Sequence, residues 1–387
     1  MTTLNKLCAR RPTWAEINLC VLRNNFLSLR RFLPNTVRII PVLKADAYGH
    51  GAVKVAKCLE TLKVEALAVA IAEEAIALRE AGVQEKLLLL NGFWPGQEPD
   101  IVHHQLTPAV YHADSICRLA TAALAQQRQT SCHLKIDTGM ARLGIDIGEA
   151  IGLLEAAKAN RWINCEGIYT HLSSAENVDC PSSHAQIRLF SEFLESAEKQ
   201  GHSFSWRHVA NSAGILNFKE SWFDSVRSGL LLYGVNPLPL PLSELKIHPV
   251  LSLKSRILQL RNVRSGRAIG YGGDFTVKRK SVIATLPIGY ADGLMRQLSN
   301  RGEVLVRGHR APIVGRISMD LALIDVTDIE NPAVDDEVVL IGCQGGEQIR
   351  VEEVAASAGT ISYEILCRIG SRVPRMYLEN SESTPLI

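Results

Sequence analysis

The sequence predicts an α/β protein: an N-terminal (β/α)8 TIM-type barrel followed by a mainly β C-terminal domain. Three observations carry that expectation. Eight short β-rich runs lie between residues 36 and 230, stretches of helical period separate them, and after a proline-rich segment the chain changes to closely spaced strand-like runs. At 387 residues and 47% hydrophobic content, the chain is long enough for two domains.

In chain order the eight runs are VRIIPVL (37–43), ALAVA (66–70), KLLLL (86–90), TPAVYH (107–112), CHLKID (132–137), NCEGIYTHL (164–172), RHVAN (207–211) and DSVRSG (224–229). Amphipathic stretches such as Ile71–Ala81, Asp114–Gln126 and Ser183–Lys199 alternate with them and are long enough to serve as the crossovers that parallel strands need. A barrel and a doubly wound open sheet share this local pattern. A ninth strand-like run, Thr13–Leu19, is left over if the barrel closes at eight. Four prolines between Asn236 and Val250 mark an exposed connection. Beyond it strands are expected at Val250–Arg261, Ser281–Pro287, Gly302–Val306, Ala311–Val314, Leu321–Val326 and Glu337–Ile341, with one short helix near Val351–Ala358.

Composition narrows the partners. With 42 basic against 40 acidic side chains and a net charge of +2, the chain carries no electrostatic footprint for nucleic acid or an anionic membrane. Small molecules are the expected ligands. Nine cysteines without a paired spacing fit reduced thiols and a cytoplasmic setting. No apolar run of about 18 residues is present and the N-terminus lacks a signal-peptide core, so neither membrane nor secretion is expected.

In a barrel, side chains at the C-terminal strand ends share one mouth. Lys44, Lys135, Asp137, His171, His208, Asn211 and Arg227 all occupy such positions. Each has a plainer reading: a solvated lysine, a Lys135–Asp137 pair, core histidines, or an Arg227–Asp224 pair. Their shared face favours function. The turns NSAG (211–214) and RSGL (227–230) place Ser212 and Gly229 beside backbone amides that could bind phosphate, with Tyr48 completing a cup; ordinary tight turns are the alternative. A lysine beside a phosphate cup points to pyridoxal 5'-phosphate held as a Schiff base. No P-loop or strand-linked GxGxxG is present, and His103–His104 and the cysteines lack metal-site spacing, so no metal is expected.

The motifs TWAEINL, VLKADAYGHG, LKIDTGMARLG, THLSSAE, HVANSAG, VRSGLLLYG, IGYGGDF, IGYADG, VGRISMD and ISYEILCRIGSRVPR together resemble the alanine racemase family over nearly the whole chain. The resemblance implies that Lys44 carries the cofactor and is one of two opposed bases, with Tyr271 the second, supplied by the partner of a homodimer. It implies that Tyr48, Ser212, Gly229, Leu230 and Tyr363 hold the phosphate and that Arg227 faces the pyridine nitrogen. It further implies that His171 and Asn211 join the cofactor site, that Arg142 and the partner's Met319 bind the substrate carboxylate, and that Lys135 matches a position often carbamylated. It also divides the chain into a cofactor-binding barrel (18–240) and a β domain (1–17 and 241–387) that serves the partner's site, which accounts for the ninth run.

The activity implied is interconversion of L- and D-alanine, supplying D-alanine for peptidoglycan. A racemase of broader amino-acid range and a non-catalytic pyridoxal phosphate carrier are the competing readings; a decarboxylase of the same barrel class fits less well, since Arg227 stands where an acidic partner is expected. Two positions depart from the family pattern: Ala141 where glycine is common, and Ser318 where cysteine is.

Overall fold

The computed structural model describes residues 11–238 and 245–379. The proline-rich connection therefore falls in part, at 239–244, outside the described residues.

The eight expected runs become strands β2 (Arg38–Pro41), β3 (Ala66–Val69), β4 (Lys86–Leu89), β5 (Leu106–Val110), β6 (Thr130–Asp137), β8 (Ile163–Tyr169), β9 (Trp206–His208) and β10 (Ser225–Ser228). A two-residue strand β7 (Ile145–Asp146) lies beside the end of β6. The order β2-β10-β9-β8-β6-β5-β4-β3 is parallel throughout, and a Val42–Ala68 bridge with the Leu43 amide donating to Ala68 at 2.7 Å joins the two ends. That junction makes a barrel and excludes the open sheet, whose edge strands stay apart. The expected helices form at Ala72–Glu80, Ala113–Ala125 and Pro181–Lys199.

β1 (Thr13–Asn18) stands outside the barrel. The strands that follow the barrel are β11 (Leu251–Arg256), β12 (Gln259–Val263), β13 (Ala268–Ile269), β14 (Phe275–Thr276), β15 (Ser281–Leu286), β16 (Glu303–Val306), β17 (His309–Pro312), β18 (Ala322–Asp325), β19 (Glu337–Gln344), β20 (Glu347–Ile349) and β21 (Arg375–Leu378). β1 is sandwiched between β11 (antiparallel) and β21 (parallel) in the sheet β17-β16-β19-β11-β1-β21, and its burial is nearly complete. β12-β15-β18 form a second sheet and β13-β14 a small hairpin.

The run expected as one strand over 250–261 is two. It breaks at Ile257 and Leu258 because Ile257 is fully buried and bonds to Asp335 and Asp336, which sends the chain from one sheet into the next. The helix Val351–Ala358 forms where expected and ends at Gly359, whose φ of +71° suits a glycine C-cap. Two helices outside the strand-helix series of the barrel were not expected. Leu19–Phe32 is capped by the Asn18 side chain, which accepts from the Val21 amide at 3.0 Å, and Ser362–Cys367 is only six residues long. Among the described residues every cysteine is free, and no helix is long and apolar enough to cross a membrane.

Candidate active site at the barrel mouth

Lys44 leaves the end of β2 and enters a turn of unusual hand. Ala45, Asp46, Ala47 and Tyr48 all have φ between +53° and +56°. A left-handed turn of L residues costs roughly 1–2 kcal/mol per residue, so its surroundings must hold it. The Ala45 amide donates to Glu74 at 2.6 Å, Asp46 accepts from the Ala52 amide at 2.7 Å, and the buried His50 ring meets the carbonyls of Ala47 and Tyr48 at 2.9 Å. The turn buries the Tyr48 ring 5.1 Å from that of Tyr233 and brings the Lys44 ammonium within 5.9 Å of the Tyr48 ring.

Gly49 and Gly51 serve packing. A Cβ at Gly49 would lie 2.3 Å from the Leu366 carbonyl, and one at Gly51 would lie 1.9 Å from the Tyr377 hydroxyl. They let the C-terminal part of the chain close on the lysine turn. The same closure brings Tyr363 to 5.9 Å from Tyr48, ring to ring.

Across the mouth, Ser212 opens the helix Ser212–Asn217 and its hydroxyl oxygen accepts from the amides of Gly229 (2.9 Å) and Leu231 (3.4 Å). The Gly229 amide, expected to be open, is thus satisfied, while among the described residues Leu230 donates its amide to no group. Asn211 uses its side-chain oxygen to cap the helix at the Gly214 amide, 2.9 Å away. Gly229 is needed for space: a Cβ there would sit 2.6 Å from the Tyr48 hydroxyl. Burial raises the pKa of Tyr48 and pushes that of Tyr363 up to about 12, so both phenols remain neutral donors.

Four cations meet at the barrel mouth, Lys44, Lys135, Arg142 and Arg227, of which Lys135 and Arg227 are buried. Lys44 is lowered from its ordinary pKa by burial first, then by the charge of Arg142. Lys135 is lowered to about 8 by burial, then by Arg227, Arg142 and Lys44. Its amine reaches the Leu90 carbonyl at 3.1 Å, while Asp137 accepts from the amides of Gly139 and Met140, so the plainer reading of a Lys135–Asp137 pair gives way to three backbone contacts. Asp224 pairs with Arg207, not Arg227. Arg227 is buried and its pKa is lowered to about 10 by that burial. Its Nη1 donates to Nδ1 and to the carbonyl of His208 (2.7 and 2.9 Å); its Nη2 serves the carbonyls of Thr170 and Val209 and Nδ1 of His171 (2.8, 2.8 and 3.1 Å). Only the Nε–H is left without a partner among the described residues.

Tyr271 and Met319 are elsewhere. Tyr271 is 70% exposed in a turn between β13 and β14, Met319 is 53% exposed, and within the chain neither makes a hydrogen bond or ring contact with the Lys44 cluster. Arg316 links their loops: it pairs with Asp274 and packs over Gly272, whose φ is +71°. Arg142 is exposed at the mouth, next to Ala141 with φ of +54°. Sequence reading missed Asp274, Arg316 and Tyr169, the last stacked on His208 at 4.6 Å with the rings 8° apart. Strand parity could have placed Tyr169 inward beside Lys135.

Barrel, appended sheets and a lysine at the mouth define the class: a two-domain α/β-barrel racemase, an isomerase. Residues 17–237 match the alanine racemase N-terminal domain and residues 250–377 the alanine racemase C-terminal domain. The chain belongs to the alanine racemase family. It is 43% identical over 367 residues to the alanine racemase of Halothermothrix orenii, an alignment covering 95% of this chain and 97% of that one. The structure is similar to alanine racemase of Clostridium difficile 630, with a TM-score of 0.90, 36% identity and coverage of 95% and 96%. It is also similar to the alanine racemase of Bartonella henselae with covalently bound pyridoxal phosphate, with a TM-score of 0.85, 32% identity and coverage of 95% and 99%.

Proposed function

We propose that this protein interconverts L-alanine and D-alanine with pyridoxal 5'-phosphate and two opposed bases, Lys44 of one subunit and Tyr271 of its partner in a homodimer. The observation that carries the reading is the Lys44 amine, shifted toward neutrality, beside a cup of uncommitted donors. The hydroxyls of Tyr48, Tyr363 and Ser212 and the Leu230 amide suit a phosphate, and Gly229 leaves the volume it needs. Arg227, its other donors engaged, has one N–H for a ring nitrogen. The residues present therefore fit the cofactor.

When bound, pyridoxal phosphate supplies an electron sink for the pair left at Cα as its proton departs. The chain's residues do the rest. Lys44, lowered from its ordinary pKa, takes or returns the proton on one face; the Tyr271 phenol does so on the other. Arg227 keeps its own proton and orients the ring without charging it, which weakens the sink and favours return of the proton at Cα. Arg142 and the partner's Met319 orient the substrate carboxylate. A neutral fraction of Lys135 near pH 8 suits carbamylation, which would replace a cation by an anion beside Arg142.

Homodimer formation is supported by Tyr271, Met319, Leu321, Tyr290 and Ile361, exposed large side chains on the C-terminal part that a second copy would cover. On this reading residues 18–240 are the cofactor-binding barrel, and residues 1–17 and 241–387 the domain that serves the partner. D-alanine for peptidoglycan is the inferred use of the product, in the cytoplasm. Formation of D-alanine from L-alanine, with loss on borohydride treatment of a cofactor absorption that maps to Lys44, tests the reading. No D-alanine, or an adduct at another lysine, rejects it. L-serine and L-lysine assayed beside it measure breadth.

A further inference from the structure

Below Arg227 the barrel interior continues as a line of polar side chains that the reaction does not use. Nε2 of His208 lies 2.9 Å from Nδ1 of His133, and Nε2 of His133 lies 3.9 Å from a carboxylate oxygen of Glu166 at the N-terminal rim. Glu166 is ion-paired with Lys86, and both Lys86 and Arg38 lie over the Trp206 ring, at 5.5 and 4.5 Å. The direction of the line is fixed at its upper end. A guanidinium can only donate, so Nδ1 of His208 must accept; its proton sits on Nε2, which donates to Nδ1 of His133. The remaining proton of His133 lies on Nε2, a buried donor that no group among the described residues satisfies and that faces Glu166.

Space is reserved for this line. A Cβ at Gly167 would come within 2.5 Å of the His133 ring, and Tyr169 clamps His208 face to face. Burial first, then the charges of Lys86 and Arg227, hold the His133 pKa down at about 3, and burial holds His208 well below its ordinary value, so both rings are neutral.

We propose that His133 and Glu166 are positioning residues for Arg227, acting through His208: a one-way hydrogen-bond chain crosses the barrel and locks the tautomers that make His208 an acceptor toward the guanidinium. The field of the Glu166 carboxylate selects the Nε2–H form of His133, and that form passes the same choice to His208. Arg227 is thereby held with its remaining N–H aimed into the mouth. The consequence for catalysis rests on Arg227 facing the cofactor ring; the tautomers do not.

The test is nitrogen NMR of the holoenzyme labelled with 15N-histidine, with His133→Phe, His133→Asn and Glu166→Gln to assign signals. Both rings are expected to be protonated at Nε2 and bare at Nδ1. His133→Phe, which removes the acceptor, is expected to shift the His208 signals, to lower kcat about tenfold at little change in KM, and to raise transamination per turnover. His133→Asn, which keeps an oxygen where Nδ1 stood, is expected to restore most of both. Protonation of His208 at Nδ1, or equal loss in the Phe and Asn variants, overturns the proposal. Wild-type protein without racemase activity would reject the functional reading while leaving the tautomers measurable.

Discussion

Arg227 and His208 are joined by a 2.7 Å hydrogen bond in which the guanidinium donates and the imidazole accepts. A group that stays protonated in this way is a poor proton donor to a ring nitrogen. Arg227→Glu is therefore expected to raise the ratio of transaminated cofactor to racemised alanine. Single-turnover spectra with product analysis measure the ratio; an unchanged value removes Arg227 from this role.

Tyr271 and Lys44 belong to different subunits on the proposed reading. Mixing inactive Lys44→Ala chains with inactive Tyr271→Ala chains should restore activity, because one of the two sites in each mixed dimer regains both bases. Random exchange predicts about a quarter of wild-type activity. No recovery after demonstrated exchange contradicts a shared site.

Space at Gly229 can be closed by a single methyl group, at a position with no positive φ to complicate the result. Gly229→Ala forces the Tyr48 hydroxyl aside, an overpacking cost of ~1–3 kcal/mol. Cofactor affinity measured by fluorescence titration should fall about tenfold or more, since 1.4 kcal/mol is a factor of ten.

Ala141 carries a left-handed φ of +54°. Glycine adopts that conformation freely, so Ala141→Gly should raise stability by roughly 0.5–1 kcal/mol, against the usual direction for such a change. Chemical denaturation gives the sign directly. The departure noticed in the sequence thus has a backbone cost of its own.

Lys135 gives a pH signature. Its folded pKa is depressed to about 8 from 10.5, so between these values the unfolded chain binds more protons than the folded one and stability rises with pH. The gain is complete above 10.5 and is lost as pH falls through about 8. Lys135→Met should flatten that rise, by up to ~3 kcal/mol at ~1.4 kcal/mol per pKa unit. Urea melts of the cofactor-free protein in carbon dioxide-free buffer compare the two slopes.

What could be read from the sequence was what repeats locally. Apolar runs with a polar terminus gave all eight barrel strands, and strand ends put Lys44, Lys135, His171, His208 and Arg227 on neighbouring positions. The left-handed turn at 45–48 could not be read, because Ala, Asp, Ala and Tyr do not ask for positive φ; Glu74 holds it from elsewhere in the chain and His50 from just beyond the turn. The helix bearing Tyr363 was too short for a period to show. The line from Arg227 to Glu166 draws on four strands, β10, β9, β6 and β8, and only register reveals it. The break at Ile257 likewise depends on Asp335 and Asp336, nearly eighty residues away.

β1 also bears on how the molecule is made. This strand emerges from the ribosome before any barrel residue, yet its two neighbours, β11 and β21, are synthesised more than two hundred residues later, one of them close to the end of the described chain. The barrel can close around its own strands while β1 waits unpaired. β11 can pair with it first, and β21 closes the remaining edge last, so translation halted before residue 375 would leave β1 with one open edge and without the strand that carries Arg375 and Tyr377.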